Sequence, residues 1–187
     1  LSVLATSTKS SIASVVDKNL GADYVLTSSS FQGFSPDVAA KVEATPGVAS
    51  VGETRIGAVR LNGKSTVVAA VSDNIGDVIK VTMDAGSLGA LKSGELLVSK
   101  TRADSAHLRV GDSVATEYPS GNKGNLRVGG IFADNDLLGN GGADYLISLP
   151  TYAANYNTQL DSVVYVLVAQ GQQQQVESVL PTTVKQD

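Results

Sequence analysis

ADYVLTSSSFQGFSPDVAAKVEATPGVASV, residues Ala22 to Val51, decides the fold. It reads as strand, turn, helix and strand. Ala22 to Thr27 is rich in β-formers. Ser35 then offers an N-cap oxygen, Pro36 takes the first helical position, where its missing N–H is not needed, and Asp37 suits the positive end of the helix. Val38, Ala39 and Val42 share one face at helical spacing. Pro46-Gly47 ends the helix before Val48 opens the next strand, so the stretch is a β-α-β unit.

Working towards the C-terminus, a second unit of the same kind is expected. DSVVYVLVA, Asp161 to Ala169, is a β-branched strand. Gly171 breaks it, and Gln172 to Leu180 places Val176, Val179 and Leu180 on one helical face. Pro181 is expected to stop that helix, and Thr182 to Lys185 reads as a further strand. A β-α-β unit near each end, with different material between, is a split β-α-β arrangement carrying an insertion. The division expected is 1–73 with 150–187 for the split unit and 74–149 for the insertion. The fold class is α+β.

Working towards the N-terminus, Leu1, Leu4, Ala5, Ile12, Val15, Val16 and Leu20 recur at helical spacing, with Gly21 as a stop. This predicts an amphipathic helix over Leu1 to Leu20. It lacks a recognisable N-cap, so the helix is expected to continue upstream. On the other side of the opening stretch, Gly52 to Asp73 holds two β-rich runs joined by Asn62-Gly63, a strong hairpin signal because both residues tolerate the positive φ of a type I′ turn. Gly63-Lys64-Ser65-Thr66 spells the end of a phosphate-binding loop. The glycine that the motif needs five positions earlier is Ala58, and the segment runs into a strand rather than a helix, so no nucleotide site is expected.

From Asn74 onward the pattern changes to short strands and frequent glycines. GELLVS, Gly94 to Ser99, reads as a strand, Thr101 to His107 as a short helical turn, and Ser113 to Tyr118, Leu126 to Phe132 and Tyr145 to Leu149 as further strands. Turn signals every eight to twelve residues suggest a small β-barrel or sandwich. DNDLLGNGGAD, Asp134 to Asp144, is the most polar and glycine-dense loop. Asp134, Asp136 and Gly139 match three positions of a calcium loop, but Leu138 replaces an oxygen ligand and Tyr145 stands where the closing glutamate belongs. The loop is therefore read as surface. Tyr152, Tyr156 and Asn157 fall in a polar connection back to the second β-α-β unit.

Composition excludes several classes of chemistry. The 187 residues are 42% hydrophobic and 17% charged, as in an ordinary globular chain. A net charge of −4, with 14 Lys plus Arg spread singly, argues against a nucleic-acid surface and against docking on anionic lipid. One histidine, His107, and no cysteine leave too few ligands for zinc and no base for a Ser-His-acid triad. No G-x-S-x-G elbow and no S-x-x-K set occurs. The 18 Asp plus Glu allow a carboxylate pair by count alone, but without tryptophan there is little to stack on a sugar ring. No run approaches the roughly 20 apolar residues that span a bilayer.

ADYVL followed by FSPDVAAKVEATPGVASV, and later GELLVSKTRADSAHLRVGDSV with LRVGGIFAD, resembles the extracytoplasmic, periplasmic core domain of MacB/FtsX-type ABC transporter permeases. The resemblance covers nearly the whole chain, through the order of its turns and strands. It implies a ferredoxin-like, porter-type layer with an inserted β-rich, sabre-type subdomain. It also implies a transmembrane helix before the first residue and a place on the extracytoplasmic face of the cell membrane.

The implied function is non-catalytic: the domain transmits ATP-driven motion of the membrane helices, through a rigid helix from Leu1, to move or extrude a substrate. No cofactor is expected, with ATP only on a separate cytoplasmic ABC ATPase. The expected partners are that ATPase, a second permease subunit and an extracytoplasmic protein, and the isolated domain is expected to be a monomer. The alternative is an FtsX-like regulatory platform that activates a cell-wall hydrolase. Its candidate contacts are Ser30, Phe31 and Phe34 beside the first loop, and Asp134, Asn135, Asp136 and Asn140 in the second. A third reading is a secreted hydrolase with scattered carboxylates.

Overall fold

Residues 2–6 and 10–14, which the helical spacing assigns to a helix, are strands. The computed structural model describes these residues by their backbone, and residues 20–28, 33–135, 137–138 and 143–184 in full. β1 (Ser2–Thr6) pairs antiparallel with β2 (Ser10–Ser14), and β2 pairs with β3 (Tyr24–Ser28), Ile12 opposite Leu26. The reason is compositional. Ser2, Thr6, Ser10, Ser11 and Ser14 compete with helical backbone bonds, whereas as strands they complete an otherwise open edge of β3. The expected rigid helix from Leu1 is thus replaced by a hairpin.

The opening stretch folds as its residues dictate. In α1 (Pro36–Glu43) the Ser35 hydroxyl accepts the Asp37 N–H at 3.2 Å, Pro36 lies in the first turn, and Val38, Ala39 and Val42 are buried. Replacing Ser35 with alanine is expected to cost about 1 kcal/mol, read as a lower urea midpoint with an unchanged slope. β4 (Val48–Leu61) and β5 (Lys64–Val71) follow, joined by Asn62 at φ 47° and Gly63 at φ 78°, the left-handed pair of a type I′ turn.

The chain continues through α2 (Ile75–Val78), β6 (Met83–Gly86), a 3₁₀ helix over Leu88–Ser93, β7 (Leu96–Ser99) and α3 (Lys100–Ala106). Then come β8 (Ser113–Glu117), β9 (Lys123–Phe132), β10 (Tyr145–Ser148), α4 (Leu149–Asn155), β11 (Val163–Val168) and α5 (Gln173–Thr183). The connection through Tyr152 is therefore helical at its start: the Ser148 hydroxyl caps α4 by accepting the Thr151 N–H at 3.1 Å, ahead of Pro150. Tyr152 stacks on Tyr156 at 4.1 Å, and the Tyr156 hydroxyl donates to the Ala58 carbonyl at 2.7 Å. Gly57 makes room for that ring, since a Cβ there would stand 2.6 Å from it.

The chain forms two units. The first comprises Leu1–Arg55, Asp77–Lys80 and Gln159–Asp187. Its strand order is β1-β2-β3-β11-β4, with β11 antiparallel to both β3 and β4. β3 and β4 are consequently parallel with α1 crossing between them, and β11 lies in the gap: a split β-α-β layer. Leu26, Val42, Val164, Val166, Val176 and Leu180 fill its core, where α5 packs on α1. α5 does not stop at Pro181. A proline in the last turn forfeits one backbone bond, and buried Leu180 and Val184 on either side of it hold the turn, the Val184 N–H donating to the Leu180 carbonyl. The strand expected over Thr182 to Lys185 is absent from its described part, and Lys185 lies outside the described residues.

The second unit comprises Ile56–Gly76 and Val81–Thr158. Its strands follow the circuit β4-β5-β10-β7-β9, and β8 closes it by pairing with both β9 and β4, while β6 adds to β9. This is a small β-barrel, filled by Val59, Leu61, Val68, Leu96, Val98, Val128 and Ile147. The division falls at Arg55 and Gln159 rather than at the expected 73 and 150. The cause is the length of β4: its 14 residues outrun the split layer, and their second half is a stave of the barrel.

Candidate functional site

The second candidate loop is held at both feet on the first turn of α3. At one foot the Thr101 N–H and hydroxyl donate to Asp134 Oδ2 at 3.0 and 2.9 Å. At the other the Ser99 hydroxyl donates to Asp144 Oδ1 at 2.8 Å and Arg102 Nη2 to Asp144 Oδ2 at 3.1 Å. Ser99 also caps α3, its Oγ accepting the Arg102 N–H at 3.2 Å. Carboxylates beside exposed helical N–H groups are favoured there, so both acids are occupied in anchoring. Asn135 turns the chain locally: its Oδ1 accepts the Leu137 and Leu138 N–H groups at 2.8 and 2.7 Å, and Leu138 is buried. Asp136 and Asn140 lie outside the described residues.

Asp134→Ala removes the acceptor for two donors. Amide exchange at Thr101 and Asn135 is expected to rise roughly five-fold, about 1 kcal/mol of local protection, with little change in the global midpoint.

Of the first-loop candidates, Ser30 and Phe31 lie outside the described residues. Phe34 is 3% exposed, its ring part of the first unit's core, and its backbone exchanges two hydrogen bonds with Asp161 at 3.0 and 2.9 Å. That pairing leads to a cluster that sequence reasoning missed. Arg55 Nε donates to Asp161 Oδ1 at 2.9 Å, Arg55 Nη1 donates to Gln159 Oε1 at 2.8 Å, and Nη2 stands 3.7 Å from Glu53 Oε1. Asp161 is fully buried and Arg55 nearly so.

β4 places these groups. Alternate residues Val51, Glu53 and Arg55 share one face, directed into the layer, and Glu53 faces Val164 of β11 across the ladder. Burial, then a hydrogen bond with Asp161 and its charge, push the Glu53 carboxyl up to about 7; Glu43 adds to the rise and the Arg55 guanidinium opposes it. The signal available in the sequence was the period-2 alternation of β4, which puts an acid and a base on the apolar side. Asp161, 106 residues away, has no such signal.

No protein-family model matches the sequence, and no curated protein sequence matches it significantly. Solved structures do. The periplasmic region of MacB from Actinobacillus actinomycetemcomitans superposes with a TM-score of 0.59 at 13% identity, over 80% of this chain and 72% of that one. A domain of a protein assigned as a permease from Porphyromonas gingivalis gives 0.57 at 21%, over 83% and 72%. The extracellular domain of the noncanonic ABC-type transporter YknZ from Gram-positive bacteria gives 0.57 at 15%, over 78% of each. At such identities the likeness is one of fold. This chain therefore has the α+β fold of the periplasmic and extracellular domains of ABC-type transporter permeases, as its sequence resemblance implied.

Proposed function

We propose that this chain is the extracytoplasmic domain of an ABC transporter permease, non-catalytic itself, through which ATP-driven motion of membrane helices is delivered to a substrate outside. The observation that supports this is the shared fold: the chain, with its split β-α-β layer and small barrel, superposes on the periplasmic region of MacB and the extracellular domain of YknZ at TM-scores of 0.59 and 0.57. β4 runs unbroken from the layer into the barrel. The energy comes from a separate cytoplasmic ATPase, and a second permease subunit completes the machine. Among the described residues no helix is long and apolar enough to cross a membrane.

The test begins with the parent reading frame. Apolar spans of about 20 residues close to both ends of the chain support the proposal; a cleavable leader before it and a stop codon after it overturn it. In the reconstituted parent with its ATPase, deleting Leu1–Asp187 is expected to leave ATP hydrolysis in place and abolish transport. The regulatory-platform reading draws on the loop whose feet are clamped at Asp134 and Asp144. In the same assay that reading requires intact transport and loss of partner activation.

A further inference from the structure

We infer that Asn62 is a self-modification site: the backbone nitrogen of Gly63 attacks its side-chain amide, the closed barrel seam holds that attack off, and the isoaspartyl product opens the seam.

The residues themselves supply the reaction. Asn62 and Gly63 are the exposed tip of the β4-β5 hairpin. The Gly63 nitrogen, once it has lost its proton to hydroxide or a buffer base, bonds to Asn62 Cγ and closes a five-membered ring. The Cγ–Nδ2 bond breaks, and ammonia leaves with a proton returned by water. A water molecule then opens the succinimide. Cleavage at Cγ gives aspartate; cleavage at the backbone carbonyl carbon gives isoaspartate, in which the main chain runs through Cβ and Cγ. Glycine favours the attack because it has no Cβ to hinder the nitrogen, and nothing stands within 4 Å of where one would be at Gly63. Both reacting groups belong to the chain, so the rate depends on how freely the turn reaches the geometry of attack.

The fold opposes that geometry. Asn62 is held at φ 47° in the type I′ turn. Its N–H donates to the Ala115 carbonyl at 2.8 Å, and its Oδ1 accepts the Ala115 N–H at 2.9 Å. The carboxamide thus stands in for a backbone carbonyl. It adds a rung to the ladder between β4 and β8, which is registered at Arg60 with Glu117 and at Leu61 with Thr116. Because β8 closes the barrel, this rung lies on its seam. For Cγ to turn onto the Gly63 nitrogen, Oδ1 must leave the Ala115 N–H. The reaction therefore draws on molecules whose seam has opened locally.

The two products differ in what they do to the seam. Aspartate keeps an oxygen where Oδ1 stood, charged and so a stronger acceptor for the Ala115 N–H. Isoaspartate adds a carbon to the main chain and shortens the side chain. A two-residue turn fixes the register of its hairpin, so the added carbon displaces both groups that meet Ala115 and removes the seam's last rung.

The experiment incubates the 187-residue chain at about pH 8.5, folded and in urea sufficient to unfold it. Peptide mapping separates the asparaginyl, aspartyl and isoaspartyl forms at Asn62 and distinguishes them from those at Asn140, which also precedes a glycine. Conversion at Asn62 is expected to be at least about ten-fold slower in the folded chain, with isoaspartate among the products. In the purified isoaspartyl chain, amide exchange at Ala115 is expected to rise about ten-fold, whereas Asn62→Asp keeps it within about two-fold of the unmodified chain. Equal rates in the two states, no conversion in urea, or intact Ala115 protection in the isoaspartyl chain overturns the inference. If Asn62→Asp fails to fold, the rate comparison and the isoaspartyl chain decide the matter. Failure of the transporter reading would show in the reading frame and leave this chemistry untouched.

Discussion

Replacing Arg55 with methionine is expected to lower the stability of the first unit by about 3–5 kcal/mol near neutral pH. Methionine keeps much of the stem's volume, so packing loss is small and the effect is electrostatic. What is removed is the guanidinium that holds Asp161 Oδ1 and Gln159 at once, and what remains is a fully buried acid with a second carboxyl beside it. Breaking a buried pair by taking one partner is far more costly than never having had it, because the orphaned charge keeps its desolvation penalty. The loss should shrink as pH falls through about 7, where the Glu53 carboxyl takes up a proton. Urea unfolding, followed through the amides of Val164 and Val166 at about pH 5 and about pH 8, measures both terms. Adding Asp161→Asn to Arg55→Met is expected to recover part of the deficit at about pH 8. A loss under about 1 kcal/mol at both pH values would mean that water reaches the cluster.

Local chemistry was the most legible part of this sequence. Ser35, Pro36 and Asp37 announce the start of α1, and the Ser35 hydroxyl does bond the Asp37 N–H. Asn62-Gly63 announces the β4-β5 hairpin, and both residues take the left-handed conformation the turn requires. The split β-α-β layer followed from two strand-helix patterns at the ends of the chain, and the resemblance to permease domains rested on the order of turns and strands along the sequence.

What stayed hidden depended on partners distant in sequence. Residues 2–14 satisfy a helical apolar spacing, and the choice of strand for 2–6 and 10–14 comes from pairing beside β3. Pro181 reads as a stop, but the burial of Leu180 and Val184 outweighs one lost bond. In the candidate loop the acidic residues were visible as a cluster, whereas their pairing with Thr101, Ser99 and Arg102 was not, because α3 lies more than thirty positions away. Arg55 shows the same limit at its extreme: its partner Asp161 lies 106 positions away and only the fold supplies it.

Gly86→Ala is expected to cost about 2–5 kcal/mol, whereas Gly63→Ala, at nearly the same backbone angle, costs about 1–2 kcal/mol. The comparison isolates one physical cause. Both glycines are left-handed, at φ 68° and 78°, so both alanines bear the Cβ penalty of that region. Around Gly63 a Cβ meets nothing within 4 Å, and the penalty ends there. At Gly86 it would overlap the Gly129 carbonyl oxygen and approach the Gly130 Cα to 2.7 Å. Backbone atoms cannot rotate aside as a side chain would, so relief requires β6 to move off β9. That movement breaks the register of Gly86 with Gly130 and pulls Ser87 from its place, where its N–H donates to the Gly129 carbonyl at 3.3 Å and its Oγ caps the 3₁₀ helix through the Gly89 N–H at 3.0 Å. The exposed edge position of β6 sets the form of the damage. Exchange should accelerate first in Met83–Gly86 and in Gly89, ahead of β7 and β10 at the barrel's centre, with the urea midpoint falling by the larger amount. Equal losses for the two variants would show that β6 yields without cost, and that the close approach of β6 and β9 contributes nothing to holding the barrel.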